Sequence, residues 1–300
     1  MRFGLFGTGH WAARTHAAAI DAHPGSMLAG VWGRDRAKTE ALAQRYGAPA
    51  FHDVDELIEA VDAVAVALPP DIQAGIAARA ASAGRHLLLD KPLALSLADA
   101  DRVVVAAEAT GIASVVFFTF RFRPEVDAFL ASATATGGWH GVRATFFASI
   151  FGGQSPYGGS QWRREQGALW DVGPHLLSLV LPILGPVTEV AAVDGPRGTV
   201  HVLLKHADGA AGTLSLTLDA PPEATGFEMV LHGESGFAEL PQSGGDAVAA
   251  FLTALDRLHE EVRTGTRGGG CDVRFARDVT AVLEAVGTAR AEARTVRVVS

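Results

Sequence analysis

Up to about residue 118 the chain alternates short apolar runs with longer stretches in which apolar positions recur every three or four residues. RFGLF (2–6), MLAGVW (27–32), APAF (48–51), DAVAVAL (62–68), HLLLD (86–90) and ASVVFF (113–118) read as strands. The stretches 10–23, 36–46, 54–60 and 71–84 between them read as helices. Gly84 suits a left-handed helix end, and Ser96 with Asp99 reads as a capping box for a helix that stops before Gly111. Six strands joined by helical crossovers predict a doubly wound parallel sheet, covered on both faces.

Beyond Phe120 the rhythm changes to longer alternating stretches: 140–151, 188–193, 199–206, 211–218 and 226–233, with HADGAAG as a hairpin turn. Helices are expected over 171–184, 246–263 and 275–290. The fold class is therefore α/β, in two domains. A parallel-sheet domain spans 1–120, and an α+β domain with an open-faced, mostly antiparallel sheet spans 121–300.

Composition narrows the partners. The chain has 300 residues, 48% of them hydrophobic, and a formal charge of −8. A surface of that sign repels phosphate backbones and anionic lipids, so nucleic acid and membrane are not expected partners. LLSLVLPIL (176–184) falls short of the roughly 20 residues a spanning helix needs. The first strand begins at Arg2, which leaves no room for a cleavable leader. Cys271 is the one cysteine, which suits a reducing, cytoplasmic setting. A soluble protein is expected.

GLFGTGHWA follows the first strand and opens the first helix. Gly7, Gly9 and Ala12 fit G-x-G-x-x-A. Gly7 permits the tight turn, Gly9 lets a pyrophosphate reach the backbone, and Ala12 permits close helix packing. This strand–turn–helix context predicts a Rossmann dinucleotide site. Its candidate contacts are Gly7, Thr8, Gly9, His10 and Trp11, with Gly33, Arg34, Pro69 and Lys91 at later strand ends. The second strand ends in Gly33-Arg34, where a carboxylate for the ribose hydroxyl of NAD is ordinarily found. Arg34 can pair with a 2′-phosphate, which favours NADP, while Asp35 one residue later keeps NAD open.

Lys91 stands at the carboxyl end of the fifth strand, where ligands of parallel sheets bind. Pro92 restricts Lys91 to an extended conformation. A lysine there can stabilise charge on a substrate oxygen. In the second half, Asp171 and His175 are four apart, with Pro174 suited to a first helical position. The spacing alone admits two readings. Asp171 caps the helix with His175 packed beneath it, or both face a cleft where His175 moves a proton. The segment 152–166 reads as a loop, either a substrate lip with Tyr157, Gln161, Trp162 and Arg163 as candidate contacts or a mobile loop whose Trp162 packs on the sheet. His201 and His206 are expected to face solvent or a neighbour, and no metal site is expected. Cys271 is expected to be inert, and GTRGGGC (265–271) reads as a turn.

The glycine loop, D-K-P after the fifth strand and W-D-V-G-P-H in the second half, in that order, resemble the Gfo/Idh/MocA oxidoreductase family. RFRPEV (121–126) and the closing RFARDVTAVLEAVGTAR resemble it too. The resemblance implies an NAD(P)-dependent dehydrogenase or reductase acting on a CH–OH group of a sugar, inositol or related polyol. The family's E-K-P lysine maps to Lys91, with Asp90 in place of glutamate, and its D-x-x-x-H pair maps to Asp171 and His175. These three become the candidate catalytic residues, with Arg121 added to the substrate contacts. The chain departs from the family at Ser178, often aspartate, and at Gly167-Ala168, where a glycine run is usual. Two alternatives accompany this reading: a family member with a tightly bound cofactor, and a cofactor-sensing regulator without catalysis. An open sheet face needs covering, so a homodimer or homotetramer is expected.

Overall fold

The computed structural model describes residues 1–299 except 153, 154, 243 and 268. In chain order its strands and helices are β1 (Arg2–Phe6), α1 (Ala17–Ala22), β2 (Met27–Trp32), α2 (Arg36–Arg45), β3 (Ala50–Phe51), α3 (Val54–Glu59), β4 (Ala63–Val66), α4 (Pro70–Ser82), β5 (His86–Asp90), α5 (Leu97–Thr110), β6 (Ser114–Phe117), α6 (Pro124–Thr136), β7 (Trp139–Phe147), α7 (Gln161–Asp171), α8 (Gly173–Leu184), β8 (Val187–Asp194), β9 (Val200–His206), β10 (Ala211–Thr217), β11 (Gly226–Gly233), β12 (Gly236–Glu239), α9 (Ala247–Thr264), α10 (Val273–Glu292) and β13 (Val296–Arg297). The chain forms two compact units. The first holds 1–123 and 244–277, the second 124–243 and 278–300, and the boundary at 277/278 falls inside α10.

The first unit is built on a six-stranded parallel sheet in the order β3-β2-β1-β4-β5-β6. β4 and β6 are buried along their whole length, as strands covered on both faces must be. Three of its helices start where short polar side chains take up free N–H groups. Asp35 accepts from Lys38 N at 3.1 Å, Asp53 from Asp55 N at 2.7 Å, and Ser96 from Asp99 N at 3.2 Å. α5 stops at Gly111, whose φ of +65° is left-handed.

The sequence reading placed everything after 120 in the second domain, yet 244–277 packs with the first unit. α9 explains this. Its Phe251, Ala254, Leu255 and Leu258 are buried, and the Phe251 ring meets that of Phe117 on β6 at 4.8 Å, edge to face. The periodicity that revealed α9 says nothing about which sheet it covers.

The second unit holds a seven-stranded sheet in the order β12-β11-β7-β10-β9-β8-β13. Its neighbours are antiparallel except β7 and β10, which run parallel. Along β9 buried and exposed residues alternate strictly, so one face is core and the other is open. Val193 and Leu203 on neighbouring strands are 65% and 59% exposed. The hairpin at HADGAAG is present, with His206 N donating to Ala210 O at 2.8 Å. α6 and the short edge strands β12 and β13 had no reading in the pattern. The helical span 161–184 is long and apolar enough to cross a membrane, but 72% of its most apolar stretch is buried within the protein. Gly167, at φ +68°, interrupts its helical path.

Candidate active site

The carboxyl edge of the parallel sheet gathers the first set of candidates. Strand order reverses between β1 and β4, the point at which open parallel sheets bind their ligands. At the end of β1, Gly7 has φ +132°, and a Cβ there would lie 2.5 Å from the Ala67 carbonyl oxygen. No side chain fits that turn. Gly7 N donates to Trp32 O at 2.8 Å, tying the turn to β2. A Cβ on Gly9 would meet no atom within 4 Å, so this backbone is open to a ligand. The following helical path passes through a π-helical turn, Ala12–His16, before α1. Such turns recur at functional sites. Thr8 lies over Gly33, where a Cβ would come within 2.6 Å of Thr8 Cγ2. A backbone cradle that only glycine permits, opening onto a helix start, fits a dinucleotide pyrophosphate.

The strand ends around it carry the rest. Arg34 is exposed, and among the described residues its guanidinium has no ion-pair partner. Asp35 is engaged otherwise: it caps α2 and lies 3.7 Å from Lys38 Nζ. Pro69 precedes α4 at the end of β4, and its carbonyl accepts from Ile72 N and Gln73 N. Lys91 follows β5. Its N–H donates to Asp90 Oδ1 at 2.9 Å, and the Lys91–Pro92 peptide is cis. Behind Asp90 lies His16, fully buried, with Nε2 3.7 Å from Asp90 Oδ2 and its ring 4.2 Å from that of Phe251. Arg121 lies in a short 3-10 turn after β6, with its guanidinium over the Phe275 ring at 5.6 Å.

The second unit gathers the other set. Gln161, Trp162 and Arg163 lie on α7, not on the loop that composition suggested. The polar run QWRREQ is helical because it starts a helix whose far end, ALWD, is buried. The residues 153 and 154 of the expected lip lie outside the described residues. Arg163 Nε donates to Asp171 Oδ2 at 2.8 Å, and its guanidinium is flanked by the Tyr157 and Trp162 rings at 4.8 and 4.7 Å. Arg163 is thus a partner of Asp171, which is only 6% exposed. Gln161 turns to Glu165 at 2.7 Å on the exposed side of α7.

Asp171 does not cap α8. The N-cap of α8 is Val172, without a side-chain cap, and Pro174 sits in its first turn as expected. His175 lies one turn on, with its ring 5.9 Å from that of Phe146 on β7. Ser178 Oγ donates to His175 O at 2.7 Å, so this departure from the family pattern serves the helix backbone.

Two expectations gain detail. His206 takes the second of its two expected settings: it is buried against a neighbour, its Nδ1 2.8 Å from Gly185 O, and burial lowers its pKa. His201 is exposed and meets Ser215 Oγ at 2.8 Å. Among the described residues no three His, Cys, Asp or Glu side chains are grouped to hold a metal ion. Cys271 is buried. Residues Gln73, His16 and Phe146 had no place in the sequence reading.

Comparison with known proteins matches residues 1–118 to a model of an oxidoreductase family with an NAD-binding Rossmann fold, and 137–239 to the GFO/IDH/MocA C-terminal domain. The chain is 28% identical to a dTDP-3,4-didehydro-2,6-dideoxy-alpha-D-glucose 3-reductase of Streptomyces violaceoruber, over 99% of this chain and 97% of that protein. It is 27% identical to a glucose-6-phosphate 3-dehydrogenase of Bacillus subtilis (strain 168), over 60% of this chain and about half (52%) of that protein. GenD2 from gentamicin A biosynthesis, solved in complex with NAD, shares the fold with a TM-score of 0.86. Its identity is 24%, over 100% of this chain and 97% of that one.

Proposed function

Because the chain belongs to the Gfo/Idh/MocA oxidoreductase family, we propose that it oxidises a secondary alcohol, or reduces the matching carbonyl, of a sugar, inositol or related polyol with NAD(P). The observation that carries this reading is the turn at Gly7 and Gly9, closed to any side chain at one residue and open to a ligand at the other. The relatives' names supply the substrate class: both act on a sugar carbon.

Gly7, Thr8, Gly9, His10 and Trp11 hold the pyrophosphate side of the dinucleotide, with Gly33 and Pro69 at its flanks. When bound, the nicotinamide accepts or donates the hydride. Arg34 pairs with a 2′-phosphate, so NADP is favoured; Asp35, which caps α2 through Oδ1, keeps NAD open. Lys91 donates to the substrate oxygen and stabilises negative charge there. His175 takes the hydroxyl proton during oxidation and returns it during reduction. Asp171, already paired with Arg163, positions and does not accept the proton. Tyr157, Trp162 and Arg121 are proposed to line the substrate.

The open sheet face supports a homo-oligomer. A depression of about 460 Å³ there is lined by Val193, His201, Leu203 and Ser215, and a second copy covering it would bury the exposed Val193 and Leu203. A single, buried cysteine supports a cytoplasmic setting. The test is a panel of sugars and polyols offered with NAD and with NADP, followed at the reduced-nicotinamide absorbance. Turnover of at least one such alcohol supports the reading. Acceptance only of unrelated alcohols or acids would replace the substrate class.

A further inference from the structure

One buried amide at the sheet's carboxyl edge has no part in the chemistry proposed above. Gln73 lies on α4 and is 1% exposed. Its Oε1 accepts from Asp90 N at 3.0 Å. Its Nε2 donates to Asp90 O at 2.6 Å, to Pro92 O at 3.0 Å and, at longer range, to Leu93 O at 3.4 Å. The orientation of the carboxamide is forced, since the N–H needs an acceptor and the carbonyls need a donor.

The ladder explains why an amide is needed here. His86 N donates to Asp62 O, so residues 86, 88 and 90 of β5 turn their backbone groups toward β4. The pairing of β4 with β5 ends at Val66 and Leu89. Asp90 is next, with an N–H and a C=O facing β4 and no rung left. The Gln73 carboxamide supplies both a donor and an acceptor, as one more peptide of β4 would. It then reaches past Lys91 to the carbonyls of Pro92 and Leu93. The Lys91 N–H is itself held by Asp90 Oδ1. The backbone is therefore fixed on both sides of Lys91.

We propose that Gln73 is the positioning residue of Lys91: its carboxamide fixes the Asp90–Leu93 turn and with it the direction and surroundings of the lysine ammonium. The importance of this for turnover rests on the reading of Lys91 as the group facing the substrate oxygen. The clamp itself does not, and the two are tested separately.

The chain has three lysines, Lys38, Lys91 and Lys205. Lys38 and Lys205 are exposed and lie near Asp35 and Glu189. Reductive methylation with ¹³C formaldehyde therefore gives a short list of resonances, and Lys91→Arg assigns the one that matters. In Gln73→Leu and Gln73→Glu, the Lys91 resonance moves or broadens beyond its line width while those of Lys38 and Lys205 stay. In Gln73→Glu, acidification returns it toward its wild-type position, because a protonated carboxyl again offers one O–H donor and one carbonyl acceptor. In Gln73→Leu it does not return. In unmethylated enzyme, kcat falls roughly a hundred-fold with KM and NADPH affinity nearly unchanged, the pattern of a misaimed group. An unmoved Lys91 resonance in either variant with a native-like melting curve overturns the proposal. So does identical pH behaviour of the two variants. If Gln73→Leu does not fold, recovery or non-recovery of Gln73→Glu on acidification decides. If the wild type turns over no sugar or polyol, the dehydrogenase reading fails while the resonance result still judges the clamp.

Discussion

The carboxyl edge of the parallel sheet and the α7–α8 segment each carry candidate residues, but they are made of different materials. At the sheet edge the candidate surface is backbone: a glycine that tolerates no Cβ, a glycine with nothing above it, and a turn held by a buried carboxamide. On α7 and α8 it is side chain: an arginine set between two rings, paired across eight residues with a buried aspartate, and a histidine one turn further. A backbone site fails when atoms are added. A side-chain site fails when a charge is removed. The difference predicts which substitutions each region resists.

The largest effect is expected at the backbone site. Gly7→Ala places a methyl against a carbonyl in a left-handed turn. Strain of about 3 kcal/mol lowers the stability of the free protein, read by urea unfolding, and relief of it by moving the turn weakens NADPH binding, read by fluorescence titration. The same substitution at Gly9, which has open space, weakens NADPH binding through contact with the ligand alone and leaves the melting temperature of the free protein unchanged. Equal melting losses for the two would break the contrast.

Next comes the side-chain site. Arg163→Leu leaves the buried Asp171 without its guanidinium and costs about 2 kcal/mol in urea unfolding, with much of it regained in the double variant Arg163→Leu, Asp171→Leu. Additive losses would show that the pair is not the source. Arg34→Ala is smaller again: about tenfold weaker NADPH binding, with NADH binding unchanged, because only the 2′-phosphate loses its partner. Equal losses for both cofactors would remove the NADP preference.

The smallest effects are in pH dependence, and here the two units differ in sign. Burial raises the pKa of Glu261 in the first unit, so the native protein holds a proton that the unfolded chain has released. Its stabilising contribution is full in acid and is lost as pH rises through the folded pKa. Glu261→Gln should match wild type in acid and exceed it increasingly toward neutral pH. Burial lowers the pKa of His206 in the second unit, so its contribution is full above the ordinary histidine range and lost as pH falls through that range. His206→Phe should flatten that loss. Urea midpoints across pH measure both, and a constant difference from wild type would refute the assignment.

The same contrast explains what was legible in the sequence. The glycine turn was readable because the demand for a missing Cβ leaves a mark at fixed spacing beside a strand. The six parallel strands were readable because they are uniformly apolar and the helices between them are periodic. The place of Lys91, at a strand end before proline, was readable. The Arg163–Asp171 pair was not, because its two partners sit on either side of a break at Gly167 that hides their common helix. The segment around Gln161 looked like a loop because its polar run preceded the buried end of the helix. α9 was found but assigned to the wrong unit, since periodicity gives a helix its apolar face and not its neighbour. Gln73 was missed because a single glutamine among alanines gives no hint of the backbone groups it must satisfy.

The account's central claim is that Lys91 serves the chemistry and the glycine turn serves the cofactor. Measuring NADPH affinity and single-turnover rate together for Lys91→Ala, with the best alcohol from the panel, tests it most directly. The account predicts a rate lower by about three orders of magnitude, near 4 kcal/mol, with affinity for NADPH within about twofold of wild type. A rate close to wild type, or a loss of cofactor binding as large as the loss of rate, would contradict it.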